Sequence, residues 1–234
     1  MIDIHSHILP GIDDGAGTFD DSVEILSDLS SNGVTDIIAT PHYIKESQYV
    51  SPVESNMALL DELDERLRKE NISINVYLGN EIYIDEDIKG LIDAGQIFPL
   101  NGGEYLLVEF PLNDEFPNYG DYLSSLLMDG YKVVLAHPER YEIAQEDYSV
   151  LEDLYELGVL FQCNIGSIYG KYGKSAQKLL KKLAKDKKIF TFGTDTHHAG
   201  GGRNISVACR KLLKYYSKDE LEELMIKNPQ KIIS

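Results

Sequence analysis

Met1-Ile2-Asp3-Ile4-His5-Ser6-His7-Ile8 reads as a short apolar strand ending in two imidazoles, and the rest of the chain repeats that form. Asn32-Gly33 precedes the apolar run Val34 to Thr40, Gly130 precedes Tyr131 to Ala136, and Gly158 precedes Val159 to Cys163. In each case a glycine suited to a left-handed helix cap is followed by a run rich in β-branched or aromatic residues. Ile2–Ile4, Ile74–Leu78, Tyr105–Val108 and Ile189–Phe192 are runs of the same kind, so seven strands are expected. Their near-continuous apolar character, without alternation, points to parallel strands buried on both faces.

Helical patterns fill the intervals, at about 19–32, 52–70, 85–94, 118–129, 147–157, 173–187 and 204–214. Thr18-Phe19-Asp20-Asp21 and Ser51-Pro52-Val53-Glu54 carry N-cap signals. Ser217-Lys218-Asp219-Glu220 caps a last helix that is expected to end near Asn228-Pro229. No linker or change of composition divides the 234 residues, so a single α/β domain over 1–234 is expected. A barrel fits seven βα units; periodicity leaves an open doubly wound sheet as the alternative.

The net charge of −17 argues against a nucleic-acid or anionic-membrane binder, which neutralises phosphates with surplus Lys and Arg. No apolar run approaches the length of a membrane span. The strand that begins at the second residue leaves no room for a signal peptide, and two cysteines are too few for a disulfide framework. A cytoplasmic location is expected.

The chain has six histidines, and five follow directly on a predicted strand: His5 and His7 the first, His42 the second, His137 the fifth and His197 the seventh. Glu81 follows the third strand, Glu109 closes the fourth, and Asp195 precedes His197. Strand ends of a parallel barrel converge on one face. Each residue alone is ordinarily a hydrogen-bonding residue of the scaffold, and their coincidence is what carries a functional reading. The sixth strand, which ends in Asn164, is the exception. Imidazole with carboxylate, and no thiolate alongside, suits Mn, Fe or Zn, and the surplus of donors over one coordination sphere points to two or three ions.

Cys163 is followed by Tyr169 where a cysteine-based phosphatase would carry its arginine, and Cys209 lies in a helix pattern. Gly200-Gly201-Gly202 lacks the Lys-Ser/Thr context of a phosphate-binding loop and reads as a rim loop carrying Arg203. The Lys-rich stretch from Lys171 to Lys188 spaces Ala176, Leu179, Leu180 and Leu183 as a solvated amphipathic helix. His198 is either an exposed residue or one that supports the site.

Together with Gly11-Ile12-Asp13-Asp14-Gly15, Thr40-Pro41-His42, Gly79-Asn80-Glu81, Leu107-Val108-Glu109-Phe110, Ala136-His137-Pro138-Glu139-Arg140-Tyr141 and Gly193-Thr194-Asp195-Thr196-His197, the opening segment resembles the polymerase and histidinol phosphatase (PHP) superfamily over the whole chain. It is most similar to the branch of manganese-dependent bacterial tyrosine phosphatases linked to capsule and exopolysaccharide synthesis, the CpsB/YwqE type. The resemblance implies a distorted seven-stranded (β/α)7 barrel with three metals, Mn2+ being expected. His5, His7, Glu81 and Asp195 would hold the first, Glu81 (bridging), Glu109 and His137 the second, and Asp14, His42 and His197 the third.

The chemistry expected is phosphate-ester hydrolysis by a metal-activated water. Arg140, three residues after His137, and Arg203, six after His197, are placed to grip the phosphate. The expected partner is the phosphotyrosine-bearing tail of a bacterial tyrosine autokinase. A small-molecule phosphatase, such as one for histidinol phosphate, and a non-catalytic metal-binding docking scaffold are the alternatives.

Overall fold

The computed structural model describes residues 1–113 and 119–234. β1 (Ile2–Asp3) leads to α1 (Phe19–Ser31), β2 (Asp36–Ala39) and β3 (His42–Tyr43) to α2 (Val53–Glu70), and β4 (Asn75–Leu78) and β5 (Glu81–Tyr83) to α3 (Ile88–Asp93). β6 (Tyr105–Glu109) precedes α4 (Tyr119–Met128), and β7 (Lys132–Ala136) precedes α5 (Glu142–Glu146) and α6 (Ser149–Leu157). β8 (Leu160–Asn164) leads to α7 (Gly173–Lys185) and β9 (Thr191–Gly193) to α8 (Ile205–Leu212), before α9 (Lys218–Glu222) and α10 (Asn228–Ile233). Position 118, where the fourth expected helix begins, lies outside the described residues.

All strand pairings among the described residues are parallel, in the orders β1-β2-β4 and β3-β5-β6-β7-β8-β9. The two series are continuous. Pro41 has no N–H to give the ladder, so the second strand breaks there and resumes at His42. The third strand breaks beside it, with Gly79 N–H donating to Ala39 O at 2.9 Å and Glu81 N–H to Pro41 O at 3.2 Å. The last strand meets the first through a parallel bridge between Ser6 and Thr196. Asp195 N–H donates to His5 O, and His7 N–H to Thr196 O, both at 3.0 Å. Among the described residues the sheet therefore closes on itself with seven strand positions, the last joined to the first by that bridge and those two hydrogen bonds, which an open sheet does not form.

The strands divide their apolar residues between two cores. Ile37, Leu106, Val108, Val133, Leu135 and Phe161 pack outward among the helices. Ile38, Tyr105, Leu107, Val134 and Ala136 turn inward, with Ile232 and Ile233 of α10 packing among them. The inward series runs Tyr105, Leu107, Glu109 along β6 and Ile38, Thr40, His42 along the second strand position, following the period of two that strand geometry imposes. The barrel interior is therefore apolar toward one end and bears ligand-type side chains toward the other.

The capping boxes at Thr18/Asp21 and Ser217/Glu220 form as expected. At α2 the boundary shifts by one residue: Pro52 is the cap, and the Ser51 hydroxyl donates to Asn56. The C-terminal helix does not stop at Pro229. A π turn over Glu223–Lys227 widens the hydrogen-bond register ahead of the proline, and the chain stays helical to Ile233. Among the described residues, no helix is long and apolar enough to cross a membrane.

Candidate metal centre

The strand ends carry their side chains into one cluster. Groups of potential ligand atoms lying within 4.8 Å of one another are His5, His7 and Glu81; His5, His137 and Asp195; His42, Glu81 and Glu109; and His7, Asp14, His42 and His197. All nine residues expected as ligands occur in these groups. Their division differs from the expected one, because His137 groups with His5 and Asp195, and His42 with Glu81 and Glu109. Glu81 is the hub. Its Oε2 lies 3.0 Å from His5 Nε2, 3.2 Å from His7 Nε2 and 3.2 Å from His42 Nδ1, and its Oε1 lies 2.9 Å from His137 Nε2.

Two of these residues depend on uncommon backbone geometry. His137 and Asp195 take left-handed φ values of 35° and 48°. That region is costly for residues with a Cβ and concentrates where surrounding structure enforces it. At His137 it interrupts the alternation that places Ala136 inside, and so brings the next residue to the same cavity.

Several further residues hold the cluster. Gln162 Oε1 lies 2.7 Å from His5 Nδ1, Gln162 Nε2 donates to Asn164 Oδ1 at 3.0 Å, and Asn164 Nδ2 donates to Asp195 Oδ2 at 2.7 Å. The sixth strand position, which offers no ligand, thus links two of them. Gln162 precedes Asn164 by two residues and shares its face, a signal that period-two reading of the sequence carries. Asp13 Oδ2 lies 2.8 Å from His7 Nδ1; the family resemblance singles out only its neighbour Asp14, and no spacing or periodicity signal marks Asp13.

The electrostatics are those of a site built for cations. Burial works most strongly against a charged His5, yet the Glu81 and Asp195 carboxylates carry it up to about 9. His7 is raised well above its ordinary value and His42 is raised too, against the same opposing burial. Burial favours neutral Glu81 and Asp195, but the facing imidazoles hold both below the carboxylate range. His197 moves the other way, lowered by burial and by the charge of His7.

The donor arrangement fits bound metal. With His5 Nδ1 and His7 Nδ1 engaged by Gln162 and Asp13, the two Nε2 atoms are left facing one another at 3.3 Å. Neutral rings in this tautomer aim lone pairs at each other and at Glu81, which is repulsive unless a proton or a metal cation lies among them. Imidazole and carboxylate are the donor types of Mn, Fe and Zn sites.

Beside the cluster lies a cavity of about 570 Å³, lined by Arg140, Tyr169, Lys171, Tyr172, Asp195 and His197 among others. Arg140 Nη1 donates to Asp195 Oδ2 at 2.7 Å, and its guanidinium sits 4.7 Å from the Tyr172 ring centroid. Arg203 does not line this cavity. It is 74% exposed, with Nε 3.9 Å from Asp28 Oδ1. His198 does line it. Cys163 is fully buried, and burial with the neighbouring Glu139 pushes its thiol well above the ordinary range, so no thiolate is presented.

A closed parallel barrel with imidazoles and carboxylates gathered at the C-terminal ends of its strands is the build of a metal-dependent hydrolase. The chain belongs to the CpsB/CapC family of capsular polysaccharide synthesis, whose model matches residues 1–234. It is 37% identical over 199 residues to the tyrosine-protein phosphatase YwqE of Bacillus subtilis, covering 85% of this chain and 78% of that protein. Among solved structures it superposes on a chain from the crystal structures of YwqE from Bacillus subtilis and CpsB from Streptococcus pneumoniae, described as unique metal-dependent tyrosine phosphatases. That match has a TM-score of 0.87 and 32% identity, covering 100% of this chain and 94% of the other. Histidinol phosphate phosphatase from Lactococcus lactis shares the fold, with a TM-score of 0.57 and 15% identity over 91% of this chain and 92% of that one.

Proposed function

We propose that this protein is a metal-dependent protein-tyrosine phosphatase that hydrolyses phosphotyrosine on the tail of a bacterial tyrosine kinase controlling capsular or exopolysaccharide synthesis. The observation that carries the reading is the meeting of five imidazoles and four carboxylates at one barrel mouth, in a chain of the CpsB/CapC family. The whole chain acts as one domain, in the cytoplasm.

Within this one shared cluster, His5, His7, Glu81 and Asp195 would hold one ion, Glu81, Glu109 and His137 a second, and Asp14, His42 and His197 a third, with Mn2+ the preferred metal and Fe or Zn also suited to the same donors. Bound metal supplies Lewis-acid charge and makes water a competent nucleophile near neutral pH. The protein's own residues supply the rest. Arg140 on the cavity wall grips the phosphate with a planar fork of donors. Arg203 joins it by leaving Asp28. Both offset the repulsion that a chain of net charge −17 exerts on a phosphate dianion. Tyr169 and Tyr172 give the cavity aromatic surface against which a phenyl ring packs. A phenol, with an ordinary pKa near 10, leaves without strong acid assistance.

Turnover of a phosphotyrosine peptide and of histidinol phosphate, measured side by side on the Mn-loaded protein, tests this. Preference for the phosphopeptide is expected. Preference for histidinol phosphate would make the protein a small-molecule phosphatase, and no turnover of either, nor of p-nitrophenyl phosphate, would leave only a docking scaffold.

A further inference from the structure

We infer that Asp13 is the positioning residue of this centre: its carboxylate fixes the tautomer and direction of His7, and at the same time ties His7 to the backbone of His42. The inference rests on the reading of His7 and His42 as metal ligands. The Asp13 side chain is only 1% exposed. Its Oδ2 lies 2.8 Å from His7 Nδ1 and accepts the His42 backbone N–H at 3.3 Å, while its Oδ1 accepts the Gly15 N–H at 3.0 Å. Both oxygens are engaged, so the carboxylate cannot turn away from the ring without giving up backbone contacts as well.

The neighbouring chain delivers Asp13 to this place. A Cβ at Gly15 would lie 2.1 Å from His7 O, so only glycine lets the loop settle against the backbone of the residue it orients. The adjacent carboxylate faces elsewhere: Asp14 is half exposed, with Oδ1 3.5 Å from His42 Nε2 and 3.3 Å from His197 Nε2. Of two consecutive aspartates, one therefore sits among the ligand atoms and the other behind them. The contrast with His5 is chemical, since its Nδ1 meets the neutral amide of Gln162. An imidazole that donates Nδ1–H to a carboxylate keeps its lone pair on Nε2 and is the stronger base there. Partners of this kind typically account for 10- to 100-fold of metal affinity.

The test compares wild-type protein with Asp13→Ala and Asp13→Asn, stripped of metal and titrated with Zn2+ or Mn2+ against a competing chelator. The His7 Nδ1 proton is followed by NMR in the Zn-loaded, histidine-labelled protein. Asp13→Ala is expected to weaken the tightest binding by roughly 10- to 100-fold and to abolish the downfield, slowly exchanging Nδ1–H resonance. Asp13→Asn keeps an acceptor and is expected to retain that resonance, shifted upfield, with a smaller loss of affinity. A residue that merely organises the loop would lower the thermal midpoint in both variants and leave affinity and the resonance unchanged; that result overturns the inference. If Asp13→Ala fails to fold, wild-type affinity in Asp13→Asn overturns it equally. Wild-type protein that binds neither metal sinks the metal reading itself, which distinguishes the two failures.

Discussion

Arg140 Nη1 lies 2.7 Å from Asp195 Oδ2, and the same oxygen accepts Asn164 Nδ2 at 2.7 Å. Oδ1 of that carboxylate is left toward the imidazoles, 3.7 Å from His5 Nε2 and 3.6 Å from His7 Nε2. The two oxygens of Asp195 thus face different partners, one the cluster and the other the cation proposed to grip substrate. The proposed metal centre and the proposed phosphate grip share a residue, so the effects of substituting Arg140 and of substituting the ligand candidates are told apart by metal content.

Arg140→Ala should lower kcat/KM on a phosphotyrosine peptide by roughly 30- to 150-fold, the equivalent of about 2–3 kcal/mol for a charged hydrogen bond. Metal content at saturation should stay at the wild-type value, because Asp195 Oδ1 is untouched. Arg140→Lys should recover only part of the loss, since an ammonium lacks the planar fork. Metal analysis beside steady-state kinetics reads both; wild-type kinetics in Arg140→Ala would remove it from the phosphate grip.

Glu81→Gln should be more damaging. Its carboxylate meets His5, His7, His42 and His137. Loss of that charge is expected to cost more than one equivalent of metal and to reduce turnover below that of Arg140→Ala. Elemental analysis of the purified variant checks the stoichiometry, and wild-type metal content would refute the bridging role.

Chelation should abolish turnover, and Mn2+ should restore it. Thiol reagents should leave turnover within about twofold of wild type, because Cys163 is fully buried with its thiol pushed up, and Cys209 stands in a helix away from the cavity. Inactivation by a thiol reagent, with fold and metal intact, would point to a cysteine nucleophile.

Metal removal should make stability depend on pH in a defined direction. In the metal-free protein His5 is opposed by burial but raised from 6.5 to about 9 by Glu81 and Asp195. A raised imidazole value stabilises the fold fully below the unfolded value, and that contribution is lost as pH climbs through the folded one. The thermal midpoint of stripped protein should therefore fall as pH rises from 6.5 to about 9. Metal-loaded protein, with its ligand imidazoles already deprotonated, should show no such fall, and metal addition at neutral pH should release protons. Differential scanning calorimetry of both forms across that range checks the sign.

Tyr141→Phe tests the scaffold behind the site. The Tyr141 hydroxyl donates to Ala136 O at 2.7 Å and accepts the Phe110 N–H at 3.1 Å, inside a side chain only 1% exposed. Losing it removes two hydrogen bonds to buried backbone groups, for a destabilisation of about 1–3 kcal/mol. Chemical denaturation of the metal-loaded protein measures it, and a change under half a kilocalorie would show that the strand ends re-pair without the hydroxyl.

The amino-acid sequence by itself determined the strand–helix alternation, the parallel character of the strands and the residue types at the strand ends. These are local matters: glycine caps, capping boxes and runs of β-branched residues act within a few positions of themselves. The ligand types were legible for the same reason, since imidazole and carboxylate announce their chemistry wherever they stand. Tertiary structure alone decided closure, because the contacts of His5, Ser6 and His7 with Asp195 and Thr196 join residues nearly two hundred positions apart. It also decided the roles of near neighbours. Asp13 and Asp14 are chemically identical, and one position turns a side chain from the imidazole–carboxylate cluster to the space behind it. Arg140 and Arg203 both follow histidines of the cluster at short spacing, yet one lies on Asp195 and the other at the surface beside Asp28. Spacing along a chain sets how far a side chain can reach; the left-handed turns at His137 and Asp195, and the packing that holds them, set where it points.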